Sequence, residues 1–336
     1  MRDSVLAALA AALLWTALSL LILPEERPAA DRASVPAKRE ETEAEIPVRT
    51  EAVPTEEQDF DPAYSLAVLT PDGVQTMDLH SYLTGVLLAE MPVSFGEEAL
   101  KAQAVACRTY TLERCRNSRH AEAAVCTDSH CCQAWTAPAD ATPDARKQAE
   151  AAVSATDGLV LLYQGALIDA TFFSCSGGRT EDAAAVWGSD LPYLKAVASP
   201  GEDAERFSNE LRVPLEDFRA VLETLDGEIR FSGDPGTWLE SVQYTAGGGV
   251  ASMQLCGRVF RGTVLRKAFS LRSTVFTLSL NREEAVFASR GNGHRVGMSQ
   301  YGAAAMAQAG NDYETILKWY YRGVELSRAD TLFAPS

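Results

Sequence analysis

Basic residues are scarce in this chain relative to acidic ones. Its 336 residues include 30 lysines and arginines against 46 aspartates and glutamates, a formal net charge of −16 at pH 7. Nucleic acids and anionic lipid surfaces are bound through an excess of positive charge. The acidic balance therefore argues against either of them as the main partner, and no nucleic-acid partner is expected.

Two common catalytic signatures are also missing. The stretch Gly291-Asn292-Gly293 lacks the third glycine of a dinucleotide site and follows no predicted strand–helix crossover. The nucleophile elbow G-x-S-x-G is absent, and His294 has no evident carboxylate partner in the sequence. Neither a dinucleotide enzyme nor a serine hydrolase is indicated.

Histidine is rare, yet two of the four histidines stand beside three cysteines within thirteen residues. The spacing of His120, Cys126, His130 and Cys131 predicts a Cys2His2 set that closes around zinc and leaves no open position, so the metal is expected to be structural. The chain has seven cysteines, an odd number, so they cannot all pair within it. Partial disulfide formation and a chance cluster are the alternatives.

One long apolar run stands at the N-terminus, from Val5 to Leu23, and its 19 residues include no charge. That length spans a bilayer, and no A-x-A cleavage site follows it. Residues 1–23 are therefore predicted to be an uncleaved membrane anchor, with the C-terminal domain outside the cell. Residues 24–62 hold six prolines and twelve acidic against five basic residues, which predicts an extended, disordered tether.

Residues 63–330 provide enough chain for one large domain. No internal repeat is evident, and helical periodicity clusters at the ends of β-rich stretches, which predicts an α+β fold. The expected elements are strands at 64–70 and 74–77, helices at 78–90, 97–116, 142–155 and 215–225, β-rich chain at 159–173 and 239–287, and closing helices at 298–309 and 313–322.

Glu90 carries the densest chemical signal. It is expected at a helix C-terminus because Pro92 stops the helix, and Ser94 with Glu97 forms an S-x-x-E box predicted to start the next one. The negative end of the helix dipole raises the pKa of a carboxyl group but supplies only about 0.3–1 kcal/mol. Raising the pKa to ~6 takes roughly 2.3 kcal/mol, so burial would have to supply the rest. A solvated glutamate at a frayed helix end is the alternative.

The residues around Glu90 resemble the signature of the stage II sporulation protein D family, and the resemblance covers roughly residues 63–326. It is carried by the blocks Leu88–Pro92, Ala99–Tyr110, Ser174–Thr180 with Val186–Gly188, Leu271–Thr274 and Gly293–Gly302. Members of this family are membrane-anchored peptidoglycan lytic transglycosylases of endospore formers. Their catalytic acid is the glutamate of the Ala-Glu-Met-Pro motif.

The resemblance implies that Glu90 is the catalytic acid, that glycan strands stripped of stem peptides are cut during spore engulfment, and that a zinc ion is bound at the His/Cys cluster. A membrane protein and a peptidoglycan amidase are the implied partners. The related amidase enhancers share the domain, so a glycan-binding module without cleavage is the alternative function. Family positions imply substrate contacts at Lys101, Arg108, Ser176, Gly177, His294 and Gln300. For Lys101 and Arg108 the alternatives are a role in ordering the Glu90 corner and plain helix-surface charge. For His294 the alternative is a buried structural group, and for the turn that contains Gln300 it is a helix cap.

Two positions depart from the family pattern. Phe173 stands where a histidine is usual, and Arg295 replaces the middle glycine of Gly-His-Gly-Val-Gly. A loop that needed a positive φ at position 295 would be strained by arginine.

Overall fold

The computed structural model describes residues 59–202 and 207–333, in which helices alternate with small sheets. The helices are α1 (Phe60–Ala63), α2 (Leu79–Glu90), α3 (Glu97–Arg116), α4 (Pro143–Ala155), α5 (Ala183–Trp187), α6 (Leu215–Leu225), α7 (Gly262–Ala268), α8 (Gln300–Gln308) and α9 (Tyr313–Tyr320). The strands are β1 (Ser65–Thr70), β2 (Gly73–Asp78), β3 (Val125–Cys126), β4 (Leu159–Tyr163), β5 (Ala166–Leu167), β6 (Phe172–Phe173), β7 (Ser208–Pro214), β8 (Leu239–Tyr244), β9 (Val250–Leu255), β10 (Arg258–Arg261), β11 (Val275–Leu280), β12 (Glu284–Arg290), β13 (Met298–Ser299) and β14 (Glu325–Arg328). The mixture confirms the predicted α+β class.

The centre of the larger core is α3, whose bounds agree with the prediction. Every residue from Ala99 to Leu112 is buried except Lys101. Alanine has the highest helix propensity and leaves room for close neighbours, so α2, α4, α8, α9 and β4 all pack against this helix. A segment buried on all sides gives the site beside it a rigid support.

The chain turns sharply between α2 and α3. Glu90 is the last residue of α2, as the proline predicts, and a 3-10 turn over Val93–Phe95 follows. The predicted Ser94 capping box is wrong, because Gly96 is the N-cap of α3, at φ 93°, and no side chain caps this helix. Glycine adopts that φ without a steric penalty, so Gly96 makes the corner.

The sheets are small and divide between two apolar cores. In the larger core, β1 pairs antiparallel with β2 and parallel with β3, while β4 lies between β14 and β5. The second core lies between the sheets β11-β12-β7 and β10-β9-β8, with Phe218 of α6 and Phe287 of β12 fully buried. The parallel pairing of β6 with β13 holds the chain around Phe173 against the start of α8.

Helix α1 belongs to the folded region, although it starts before the predicted boundary at residue 63. The backbone N–H groups of Phe60 and Asp61 donate to the Asp157 carboxylate at 2.9 and 2.8 Å, and Asp61 is fully buried. These residues belong to the fold and not to the tether predicted over 24–62. The rest of that range up to residue 58, and the anchor predicted over 1–23, lie outside the described residues.

No helix within 59–202 and 207–333 combines the length and the apolar character that a membrane span requires.

Candidate active site

Two hydrogen bonds hold Glu90 at the C-terminus of α2, one to its side chain and one to its backbone. The Ala134 N–H donates to the Glu90 carboxylate Oε1 at 2.7 Å. The Gln300 side chain at the start of α8 donates through Nε2 to the Glu90 backbone carbonyl at 3.0 Å. Gln300, predicted to bind substrate, thus lies next to Glu90 and supports its backbone.

Burial raises the pKa of Glu90 above its ordinary value, and the hydrogen bonds from Ala134 and Gln300 oppose the rise. The cause is the loss of water around a partly enclosed carboxylate, which disfavours the charged form. Glu90 therefore keeps its proton at a higher pH than a solvated glutamate does. That property suits a group that must donate a proton to a leaving group.

Glu90 faces a cleft of about 650 Å³ that several distant segments line. A second carboxyl group, Asp169, lies in the same cleft and accepts from Arg114 Nη2 at 3.1 Å. Arg114 in turn covers the ring of Tyr110, 4.7 Å from its centroid. Sequence reasoning missed Asp169, since 79 residues separate it from Glu90 and no motif links them.

One wall of the cleft is aromatic. Trp187 is 43% exposed, and its ring lies 5.2 Å from that of His294, which in turn lies 5.6 Å from Phe173. An exposed ring backed by a second ring offers a rigid apolar face on which a sugar can stack. Phe173, the departure from the family pattern, packs against His294 and takes part in this wall.

His294 lines the cleft in an uncharged form. Burial lowers its pKa to about 4, the positive charge of Arg266 adds to the effect, and a backbone hydrogen bond with Phe172 opposes it. The Val296 N–H donates to Nδ1 of the ring at 3.2 Å. Contacts with the protein thus engage the ring on several sides, which indicates that it stiffens the aromatic wall.

A group able to hold a metal ion lies beside the cleft. The donor atoms of His120, Cys126, Cys131 and Cys132 all fall within 4.8 Å of one another. The predicted ligand His130 is wrong, because its side chain is 91% exposed and its ring turns to Asp128, 3.3 Å away. Cys132 takes its place. His130 and Cys132 flank Cys131 on its two sides, so the spacing alone could not separate them.

The cluster and Glu90 are joined by a short segment of chain. Gln133 follows Cys132, is buried, and accepts from the Thr111 hydroxyl of α3 at 2.8 Å. Ala134, the next residue, supplies the N–H that binds Glu90. An interaction that orders the His/Cys cluster therefore also positions the Ala134 N–H against the Glu90 carboxylate. All seven cysteines lie in the described part of the chain, and none forms a disulfide.

Two basic residues predicted to contact substrate do not line the cleft. Lys101 is bound to Glu97 and Glu98 on the surface of α3, at 2.6 and 3.0 Å. Arg108 is fully buried, and its guanidinium donates to the Asp61 carboxylate at 2.5 to 3.0 Å. Arg108 is thus an internal anchor for α1, neither a substrate contact nor a surface charge.

Ser176 and Gly177 also point into the protein. The Ser176 hydroxyl and the Gly177 N–H each donate to Glu202 Oε2 at 2.8 Å, and Ser176 is fully buried. The Gly178 N–H adds a weaker bond to the same oxygen at 3.3 Å. The Glu202 carboxylate thereby holds the conformation of the loop from Ser176 to Gly178. In this structure Ser176 and Gly177 stabilise that loop and do not line the cleft.

Arg295 has a positive φ, 69°, the conformation in which arginine was expected to be strained. Its buried guanidinium donates to the carbonyls of Ser176, Arg179 and Gly247 at 2.9, 2.7 and 2.6 Å. These charge-assisted bonds offset the backbone strain. Arg295 therefore ties the Ser176 loop to the second core, and the departure from glycine adds a support.

Comparison with known proteins agrees with the motifs. A family model described as stage II sporulation protein matches residues 70–163. The stage II sporulation protein D of Bacillus subtilis (strain 168) is 34% identical over 279 residues, which covers 76% of this chain and 76% of that protein. The corresponding protein of Bacillus amyloliquefaciens is 33% identical over 272 residues, 78% of this chain and 77% of that protein.

An amidase enhancer of Bacillus subtilis (strain 168) is 28% identical over 297 residues, but this stretch covers 73% of the present chain and 40% of the enhancer. The sporulation proteins thus match over a larger share of their own length and at higher identity. By this extent of similarity the chain belongs to the stage II sporulation protein D family.

Proposed function

We propose that the protein is a peptidoglycan lytic transglycosylase that cuts glycan strands during spore engulfment, preferably strands stripped of their stem peptides. The observation that carries the proposal is a glutamate, Glu90, that lines a cleft of about 650 Å³ and whose pKa burial raises. The aromatic wall at Trp187 offers a face for a sugar ring. Membership of a family of sporulation proteins supports the biological setting.

One group can perform both halves of this reaction. The Glu90 carboxyl gives its proton to the glycosidic oxygen as the bond from that oxygen to C1 breaks. The C1 atom belongs to a muramoyl residue of the strand. The Glu90 carboxylate then takes the proton of the 6-hydroxyl group of that residue, and the hydroxyl oxygen bonds to C1. A 1,6-anhydro ring closes, no water is consumed, and Glu90 ends in its starting form.

The second candidate is a glycan-binding module that stimulates a partner amidase. Similarity to an amidase enhancer favours it. Digestion of purified glycan strands by the full chain distinguishes the two, with mass analysis of the products. Anhydro ends, lighter by one water than hydrolysed ends, support the transglycosylase. Hydrolysed ends assign the second carboxyl group, Asp169, a part in water attack, and intact strands that stay bound support the module.

Zinc is the metal that suits the cluster best. Three thiols and one imidazole within 4.8 Å form the donor set of a closed, tetrahedral structural site. His120, Cys126, Cys131 and Cys132 would hold the ion, which would cross-link His120 to the segment from Cys126 to Cys132 and leave no position open for substrate. The protein's own Ala134 N–H then stays on Glu90.

Cys132→Ser is expected to reduce the copurifying zinc from about one equivalent to a small fraction. The melting temperature should fall by at least about 4 °C, because metal binding contributes folding free energy. His130→Ala is the matched control, and it should keep both the metal and the melting temperature. Zinc loss in His130→Ala with full retention in Cys132→Ser would reverse the ligand assignment.

We also propose that residues 1–23 anchor the protein in the cell membrane, with the catalytic domain outside. The support is the uncharged run Val5–Leu23. A membrane protein and a peptidoglycan amidase of the engulfment machinery are the proposed partners, since an amidase prepares stripped strands and the similarity to an amidase enhancer points the same way.

Deletion of residues 1–23 is expected to move the protein from the membrane pellet to the supernatant after ultracentrifugation, because the only membrane-length apolar run is removed. The full chain, expressed in parallel, should stay in the pellet. A truncated protein that still sediments with membranes contradicts the anchor.

A further inference from the structure

A second cavity, of about 420 Å³, lies at the C-terminal end of α7. Its lining is Thr263, Arg266, Lys267, Ser270 and Leu271, which gives two cations, two hydroxyl groups and one apolar side chain. No carboxylate belongs to this lining. In a chain with a net charge of −16, the cavity is a local concentration of hydrogen-bond donors and positive charge.

The positive charges in this cavity have no carboxylate counter-ion among the residues that the structure describes. Arg266 is half-buried, and its guanidinium donates to the carbonyls of Leu271 and Arg272, at 3.2 and 3.3 Å. Within the described ranges neither Arg266 nor Lys267 pairs with a carboxylate. The helix C-terminus favours a cation there, but a partly desolvated guanidinium is normally paired with an anion.

Hydrogen bonds connect the cavity to the cleft that contains Glu90. The Arg272 carbonyl accepts from Arg266 Nη2 at 3.3 Å and from the Gly293 N–H at 3.0 Å. Gly293 and His294 line the cleft, and the charge of Arg266 acts on His294 strongly enough to lower its pKa. The cavity therefore adjoins the aromatic end of the cleft, within reach of a strand bound along it.

We propose that this cavity binds the lactyl carboxylate of a muramoyl residue, and that Arg266 and Lys267 thereby select strands from which the stem peptide has been removed. The proposal rests on the proposed function, because it assigns a specificity subsite to the same substrate. A guanidinium pairs with a carboxylate in a fixed two-pronged geometry.

The chemistry of the strand explains the selection. An amidase adds water across the amide between the lactyl group and the first residue of the stem, the carbon–nitrogen bond breaks, and the peptide leaves as an amine. A carboxylate stays on the sugar. Each disaccharide of a stripped strand therefore carries a negative charge that an intact strand lacks at this position. This enzyme would act on the product of an amidase.

Strand binding by the full chain carrying Glu90→Gln tests the proposal, since that variant leaves the strands uncut. Two ligands are compared: amidase-stripped strands, and the same strands with their lactyl carboxylates converted to neutral methylamides. The charged strands should bind about ten-fold more tightly, and more so at low salt. Adding Arg266→Gln should abolish this preference, whereas Arg266→Lys should keep part of it.

Two further variants keep the result interpretable. Lys267→Gln changes an exposed side chain on the rim of the cavity, so it should fold normally and lose part of the preference. Arg261→Gln removes an exposed arginine beside the start of α7 and should bind both strands as before.

An equal loss of binding to both strands in Arg266→Gln, or no loss to either, overturns the proposal. Poly(glycerol phosphate) serves as a third ligand. If Arg266→Gln loses binding to this polymer but keeps the preference for charged strands, the proposal is also overturned and the cavity is assigned to phosphate. The tests of the subsite measure binding, and the test of the transglycosylase assignment measures the release of anhydro ends. A wild type that releases no anhydro ends would overturn the assignment and leave the binding results unchanged.

Discussion

Replacing Glu90 with glutamine is expected to lower the release of anhydro products by roughly 10²–10⁴-fold, the usual contribution of general acid catalysis. Glutamine keeps the shape of the side chain and can still accept from the Ala134 N–H. It has no proton to transfer to the glycosidic oxygen. Initial rates on stripped strands, measured with strand affinity and circular dichroism, separate this effect from unfolding, since the latter two should not change.

Glu97→Gln provides the matched control. Glu97 stands at the start of α3, is 75% exposed and pairs with Lys101, so its loss should leave the rate unchanged. In the wild type, the rate should decline as pH rises through the raised pKa of Glu90, because the proton donor is then lost. A Glu90→Gln enzyme with full activity would place the acid at another residue.

Asp61→Ala is expected to destabilise the protein by about 3–5 kcal/mol, because it leaves the Arg108 guanidinium buried without a counter-ion. Both side chains are fully buried, and Asp61 also accepts from the Gly158 N–H at 3.4 Å. Equilibrium unfolding in urea measures the change as a lower midpoint at an unchanged slope.

The control for this variant lies two residues away. Asp59 is exposed and its side chain caps no helix, so Asp59→Ala should change stability by less than about 0.5 kcal/mol. Adding Arg108→Met to Asp61→Ala should restore part of the loss, since the unpaired charge is then removed as well. An Asp61→Ala midpoint equal to that of the wild type contradicts the assignment.

Local sequence patterns predicted the elements that depend on local physics. The alanine-rich run gave α3 its observed bounds, and Pro92 ended α2 at Glu90. The cap of α3 was mispredicted because the S-x-x-E pattern at Ser94 competed with Gly96, which adopts a backbone conformation that few other residues tolerate.

Contacts between distant segments could not be predicted. Asp61 lies 47 residues before Arg108, in a segment whose acidic, proline-rich composition indicates disorder. Nothing in the sequence therefore marked Asp61 as the partner of Arg108. The sequence predicts strain at Arg295 because nothing in it indicates the carbonyl partners, which belong to two separate loops, Ser176 and Arg179 in one and Gly247 in the other. The family resemblance indicated Glu90 as the candidate acid. Asp169 and Ala134 are distant from Glu90 in the sequence, and only the fold brings Asp169 into the same cleft and the Ala134 N–H against the Glu90 carboxylate.

The way the chain enters the fold has a mechanical consequence. Tension applied to the chain ahead of residue 59 would pull first on α1. There the load meets the ion pair between Asp61 and Arg108 and the two backbone bonds to Asp157. Arg108 belongs to α3, the helix at the centre of the larger core, so the force is distributed into the most rigid part of the domain. A pulled domain would thus resist unfolding until the ion pair between Asp61 and Arg108 breaks.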